Sequence, residues 1–229
     1  MIQAVLFEFD GVIADTRDAR RRALVDTLEE DGIRISDAEY EDHCAALPVR
    51  SAVRAAFLRH GDADDETAID LATIRTDRRF RTIVEGGLSL MPGARALIEA
   101  MQGQTRLGIV SRAARRDIET VLAMAQLDYA FEFVISADDT HSPKPSSECY
   151  VASLERLARR RPVEPRHVVA LEDGIAGIRA AKGAGLRCAV IGALPVHLAV
   201  NADGMLPSLV GQSAAAIDAV TLGKRPAER

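Results

Sequence analysis

The feature that most limits the fold of this chain is an alternation of short, wholly apolar runs with longer stretches in which apolar residues return at helical spacing. The runs are Ala4 to Phe7, Leu107 to Val110, Phe133 to Ile135, Val168 to Leu171 and Ala189 to Ile191. Runs this short, with no polar residue on either face, suit strands covered from both sides in a parallel sheet. After the second run Ile118, Val121, Leu122 and Ala125 recur at helical spacing. After the fourth, Ile175, Ile178, Ala181 and Ala184 do the same, and Gly185 follows as a stop signal. Strand, helix, strand in this order predicts an α/β fold, a doubly wound parallel sheet.

One stretch breaks the rhythm. From about Thr16 to Glu85 there are helical patterns, such as Val53, Ala56 and Phe57, but no convincing strand, and the stretch ends at Gly86-Gly87. It reads as an all-helical insertion, which divides the chain into a core of residues 1–15 and 88–229 and an inserted unit of residues 16–87. Pro92-Gly93 marks the return to the core as a turn before a helix from Ala94 to Met101. The tail from Gly223 to Arg229 is expected to fray.

Composition narrows the partners. At 229 residues, 48% hydrophobic and 28% charged, the chain can bury a full core. Its 29 Lys and Arg against 34 Asp and Glu leave a net charge of -5, which offers no overall attraction to nucleic acid or to an anionic membrane. A small-molecule partner is expected. The run at the amino terminus breaks at Glu8 and has no basic lead, so it reads as neither signal peptide nor membrane span. Cys44, Cys149 and Cys188 are odd in number and widely spaced, which suits free thiols in a reducing cytoplasm. A monomer or weak homodimer is the expected state.

The residues that end the apolar runs carry the chemistry, because ligands of open α/β sheets bind beyond the carboxyl ends of the strands. The first run leads into Glu8-Phe9-Asp10-Gly11, the second into Ser111 and the fourth into Glu172-Asp173-Gly174, while Ser142-Pro143-Lys144-Pro145 follows the third. Two acidic clusters, a hydroxyl and a lysine thus meet on one edge. Carboxylates gathered in this way call for a cation, and an all-oxygen set suits Mg²⁺. A hydroxyl and an ammonium beside that ion suit a phosphoryl group, whose transfer is catalysed mostly by positioning and charge neutralisation. Taken singly, each residue has a plainer reading: Ser111 as a helix N-cap, Glu172-Asp173 as acids at the positive end of a helix, Lys144 as a solvated loop charge.

Together these segments resemble the haloacid dehalogenase superfamily of phosphohydrolases, in the branch with a helical cap inserted after the first motif. Phe7-Glu8-Phe9-Asp10-Gly11-Val12 is similar to its first motif, Ile109-Val110-Ser111 to its second, Lys144-Pro145 to its third and Leu171-Glu172-Asp173-Gly174 with the glycine-rich stretch after it to its fourth. The resemblance implies an Mg²⁺-dependent phosphatase, or the closely related phosphomutase, acting on a small phosphorylated metabolite such as a sugar phosphate or phosphoglycolate. It implies Glu8 as the nucleophile that takes up the phosphoryl group and Asp10 as the acid and base. Ser111 and Lys144 would hold the phosphoryl group. Mg²⁺ would be bound by the Glu8 carboxylate, the Asp10 carbonyl and Asp173, with Glu172 close by. Thr16, Arg20, Arg50, Arg75 and Arg112 become candidate substrate contacts, the arginines suiting a second anionic group; as isolated residues, Arg20, Arg50 and Arg75 read more readily as plain surface charges. The helical insertion would act as a lid.

Glu8 stands where that family has aspartate. The extra methylene moves the carboxylate by about 1 Å, a displacement that can cost on the order of 10²-fold in rate. A catalytically silent member that binds phosphate ligands or a protein is therefore a second reading. A third, a phosphoacceptor signalling domain, is disfavoured by the insertion and by the second acidic pair near residue 172.

Overall fold

In the computed structural model the described residues are 1–45, 47–61 and 65–223, so the tail beyond Gly223 lies outside them. They divide into two compact units, one of residues 1–15 and 89–223 and the other of the described residues between 16 and 88.

The first unit is built on a six-stranded sheet. Its strands are β1 (Ala4–Phe7), β2 (Arg106–Val110), β3 (Phe133–Ile135), β4 (Val168–Glu172), β5 (Arg187–Ile191) and β6 (Gly204–Leu206). They lie in the order β3-β2-β1-β4-β5-β6, and every neighbouring pair is parallel. β1 is central, with Ala4 opposite Arg106 on one side and Val168 on the other. All of β1, β4 and β5 is buried, as expected of strands covered on both faces. The connecting helices α5 (Ala94–Met101), α6 (Arg115–Met124), α7 (Glu148–Arg160), α8 (Ile175–Gly183) and α9 (Ala214–Thr221) turn apolar faces to the sheet. Leu6, Val110, Tyr150, Leu157, Ile178 and Val190 share one core cluster. The turn into α5 depends on Gly93: its φ is +85°, and a Cβ there would collide with the backbone of Leu209 and Val210.

The second unit contains four helices and, among the described residues, no strand: α1 (Arg17–Glu30), α2 (Asp37–His43), α3 (Val49–His60) and α4 (Glu66–Glu85). Val53, Ala56 and Phe57, the helical pattern of the sequence, are buried in α3 and pack with Leu24, Leu28 and Ile69. Ser36 caps α2 in a reciprocal capping box with Glu39. Among the described residues no helix is long and apolar enough to cross a membrane, and all three cysteines are free and buried.

Candidate active site

The sheet places the candidate residues by extending its ladders past the strand ends. Beyond β1 the Glu8 N–H donates to the Leu171 carbonyl of β4 at 2.9 Å, and beyond β2 the Ser111 N–H donates to the Ile135 carbonyl of β3 at 2.9 Å. Both side chains are thereby held on the carboxyl edge of the sheet, where they meet Lys144.

Lys144 is the hub. Its ammonium donates to Glu8 Oε2, to Glu172 Oε1 at 2.6 Å and to the Val110 carbonyl at 2.8 Å. Glu8 Oε1 accepts from the Ser111 hydroxyl and, at 2.8 Å, from the Phe9 N–H. The Tyr150 hydroxyl donates to Glu172 Oε1. Glu8, Ser111, Lys144 and Glu172 are all buried, Glu172 to 1% exposure. Burial alone would push the Lys144 ammonium down, but the charges of Glu172 and Glu8 overrule it and raise it. The Glu172 carboxyl is pushed up, first by burial and also by Glu8, against the pull of Lys144. Burial and Glu172 together raise the Tyr150 phenol well above its usual range.

Two glycines make room for the acids. A Cβ at Gly177, in the first turns of α8, would fall on the Glu172 carboxylate, and one at Gly11 would lie 2.5 Å from Asp173 Oδ2. Gly11, with φ +71°, thus lets the loop after β1 lie directly against Asp173. The Asp173 carboxyl is pushed up to about 6 by loss of surrounding water and by the negative charges of Glu8 and Asp10. Its side chain still reaches solvent, which makes the neighbouring charges the firmer cause.

Sequence reasoning missed Tyr150. It lies on the buried face of α7 with Cys149, Ser153 and Leu157; that spacing marks a helix face, but only the fold brings the hydroxyl to Glu172.

The remaining candidates are placed differently. Arg112 is exposed beside Ser111. Within the helical unit, Thr16 is buried just before α1, and the Arg20 guanidinium sits 4.4 Å from the centre of the Phe80 ring. Arg50 is tied to Glu66 and Asp70 at 2.7 and 2.8 Å, and Arg75 is paired with Asp31. Either guanidinium must exchange a carboxylate of its own unit for a substrate anion before it can act as expected.

The chain belongs to the haloacid dehalogenase-like hydrolases, whose family profile matches residues 5–191. Among curated relatives it is 33% identical to protein CbbY of Cereibacter sphaeroides over 83% of this chain and 84% of that one. It is 28% identical to hexitol phosphatase B of Escherichia coli K12, over 83% of each chain. A crystal structure of a mutant CbbY from Rhodobacter sphaeroides in complex with xylulose-(1,5)bisphosphate superposes with a TM-score of 0.78 at 29% identity. It covers 95% of this chain and 99% of that one.

The Mg²⁺ expected from the sequence meets a rearranged set of acids. Among the described residues no three His, Cys, Asp or Glu side chains are gathered closely enough to hold a metal, and Glu8 and Glu172 are paired with Lys144. The negative charge of Asp10 helps to raise the Asp173 carboxyl, and a divalent cation beside them would offset it. Mg²⁺ is commonly held by one or two carboxylates, with water and substrate phosphate completing its shell. Of the expected ligands, the Asp10 carbonyl and Asp173 would hold the ion, while Glu8 and Glu172 are engaged by Lys144.

Proposed function

We propose that the chain is a phosphatase of a small phosphorylated metabolite, a sugar phosphate or phosphoglycolate, with a phosphomutase as the neighbouring possibility within the same chemistry. The observation that carries this reading is the meeting of Glu8, Ser111, Lys144 and Glu172 on the carboxyl edge of the sheet, beside Asp10 and Asp173. Hexitol phosphatase B and the sugar-bisphosphate complex of CbbY support the substrate class by likeness.

In this reading a Glu8 oxygen forms a bond to phosphorus while the bond from phosphorus to the leaving oxygen breaks, and Asp10 gives that oxygen its proton. Water then attacks the phosphorus of the acyl phosphate, Asp10 takes the proton, and inorganic phosphate leaves with Glu8 restored. Ser111 and Lys144 hold the phosphoryl oxygens throughout. Glu172 and Tyr150 position Lys144. Mg²⁺, held by Asp173 and the Asp10 carbonyl, would neutralise phosphoryl charge.

One observation favours a second reading, a silent member that binds but does not turn over: both Glu8 oxygens are already engaged. Turnover of p-nitrophenyl phosphate and a panel of phosphorylated metabolites, with and without Mg²⁺, separates the two. The phosphatase reading expects Mg²⁺-dependent release of phosphate that Asp10→Asn removes and Glu8→Asp raises by roughly 10²-fold, the scale set by an ångström of misplacement. Blank-level activity of both the native chain and Glu8→Asp across the panel selects the silent reading.

A further inference from the structure

The donors that should receive a phosphoryl group are all in use. An ammonium has three N–H bonds, and those of Lys144 go to Glu8, Glu172 and the Val110 carbonyl. A serine hydroxyl has one proton, and that of Ser111 goes to Glu8; its oxygen meanwhile accepts from the Ala113 N–H at 3.1 Å. Of these partners Val110 is fixed in β2, and Glu172 is locked by Tyr150. Glu8 is the partner common to Ser111 and Lys144. Its carboxylate presents one oxygen to each, as a phosphate would, and the pair is charge-compensated before any ligand arrives.

We infer that Glu8 is the resident anion of the Ser111–Lys144 pair, so that a phosphoryl group enters only by displacing the Glu8 carboxylate from both donors. The longer side chain thereby sets the ligand affinity of this pocket as well as the reach of the nucleophile. Ligands that bring only a weakly charged or singly charged oxyanion do not compete with a carboxylate already in place; a phosphate dianion does so at reduced affinity. The inference rests on the phosphatase reading only for the assignment of Ser111 and Lys144 as phosphoryl holders.

The test is binding of inorganic phosphate without added metal, measured by titration calorimetry on the native chain, Glu8→Ala, Glu8→Asp and the double variant Glu8→Ala/Ser111→Ala. Removing Glu8 leaves Lys144 paired with Glu172, so the fold is expected to persist; circular dichroism checks this, and Glu8→Gln substitutes if Glu8→Ala does not fold. Freeing charge-assisted bonds predicts phosphate binding tighter by about 10- to 100-fold in Glu8→Ala, with a smaller gain in Glu8→Asp. The double variant loses most of the gain. Equal affinity of the native chain and Glu8→Ala overturns the inference, as does phosphate binding by none of the folded variants. The phosphatase reading is judged separately by turnover of the metabolite panel, so either can fail alone.

Discussion

Carboxylates face cationic side chains in two regions of this molecule, under opposite conditions. At the carboxyl edge of the sheet Lys144 lies between Glu8 and Glu172, all three buried. On the helical unit Arg50 and Arg54 share Glu66, Arg50 also holds Asp70, and Arg79 pairs with Glu30, with side chains 35–57% exposed. The contacts are of similar kind; the surroundings differ. Water screens the surface pairs and would solvate either partner if the other were lost. The buried cluster has no such refuge, so each member depends on the rest. A list of ion pairs would rank the two regions alike, whereas burial ranks them far apart.

Lys144→Met should have the largest effect, because it leaves two buried carboxylates without their cation. The expected loss is about 3–5 kcal/mol of unfolding free energy at neutral pH, read from urea denaturation. A loss below about 1 kcal/mol would mean that the cluster is hydrated and the contrast false. Tyr150→Phe comes next: it removes one hydrogen bond to a buried charged group and should cost roughly 1.5–3 kcal/mol. An unchanged urea midpoint would show that Glu172 does not need the phenol.

Gly177→Ala sets two effects against each other. Alanine gains about 1 kcal/mol of helix propensity over glycine, but its Cβ would fall on the Glu172 carboxylate, which Lys144 and Tyr150 hold in place. Overpacking of about 1–3 kcal/mol should win, leaving a net loss near the low end of that range by the same urea measurement. A stabilised variant would show that Glu172 can step aside. The smallest effect belongs to the surface: Arg50→Ala should leave the urea midpoint within error, and 0.5 M NaCl should not separate it from the native chain. A clear drop would place the helical unit's ion pairs on the same footing as the buried cluster.

Most of the fold is legible in the sequence because buried parallel strands write themselves as apolar runs. The five runs coincide with β1 to β5, gaining only flanking residues such as Arg106 and Glu172. β6 leaves no such mark: it is three residues long, begins with Gly204 and is only partly buried. Of the candidate site, Glu8 and Ser111 can be read from their places directly after strands, Glu172 from the end of an apolar run and Lys144 from the loop after β3. What cannot be read is the direction in which each carboxylate turns. Glu8 and Glu172 face Lys144, while Asp173 stays outside, and that division follows from side-chain length and the space left by Gly177 and Gly11. The partners of Arg50 and Arg75 are equally hidden, since Asp31 is 44 residues from Arg75.

The central place of β1 also has a consequence in time. Its two neighbours are supplied by residues 106–109 and 168–171, so on the ribosome, at roughly 5–20 residues per second, the first strand waits on the order of ten seconds for its second edge to be covered. Over that interval Ala4-Val5-Leu6-Phe7 is an apolar strand with open hydrogen-bonding groups, the kind of segment that pairs with other nascent chains. The helices of residues 17–85, by contrast, share a core whose members are close in sequence, among them Leu28, Val53 and Ile69. The strand that delivers Glu8 is thus the one whose two neighbours lie farthest from it along the chain.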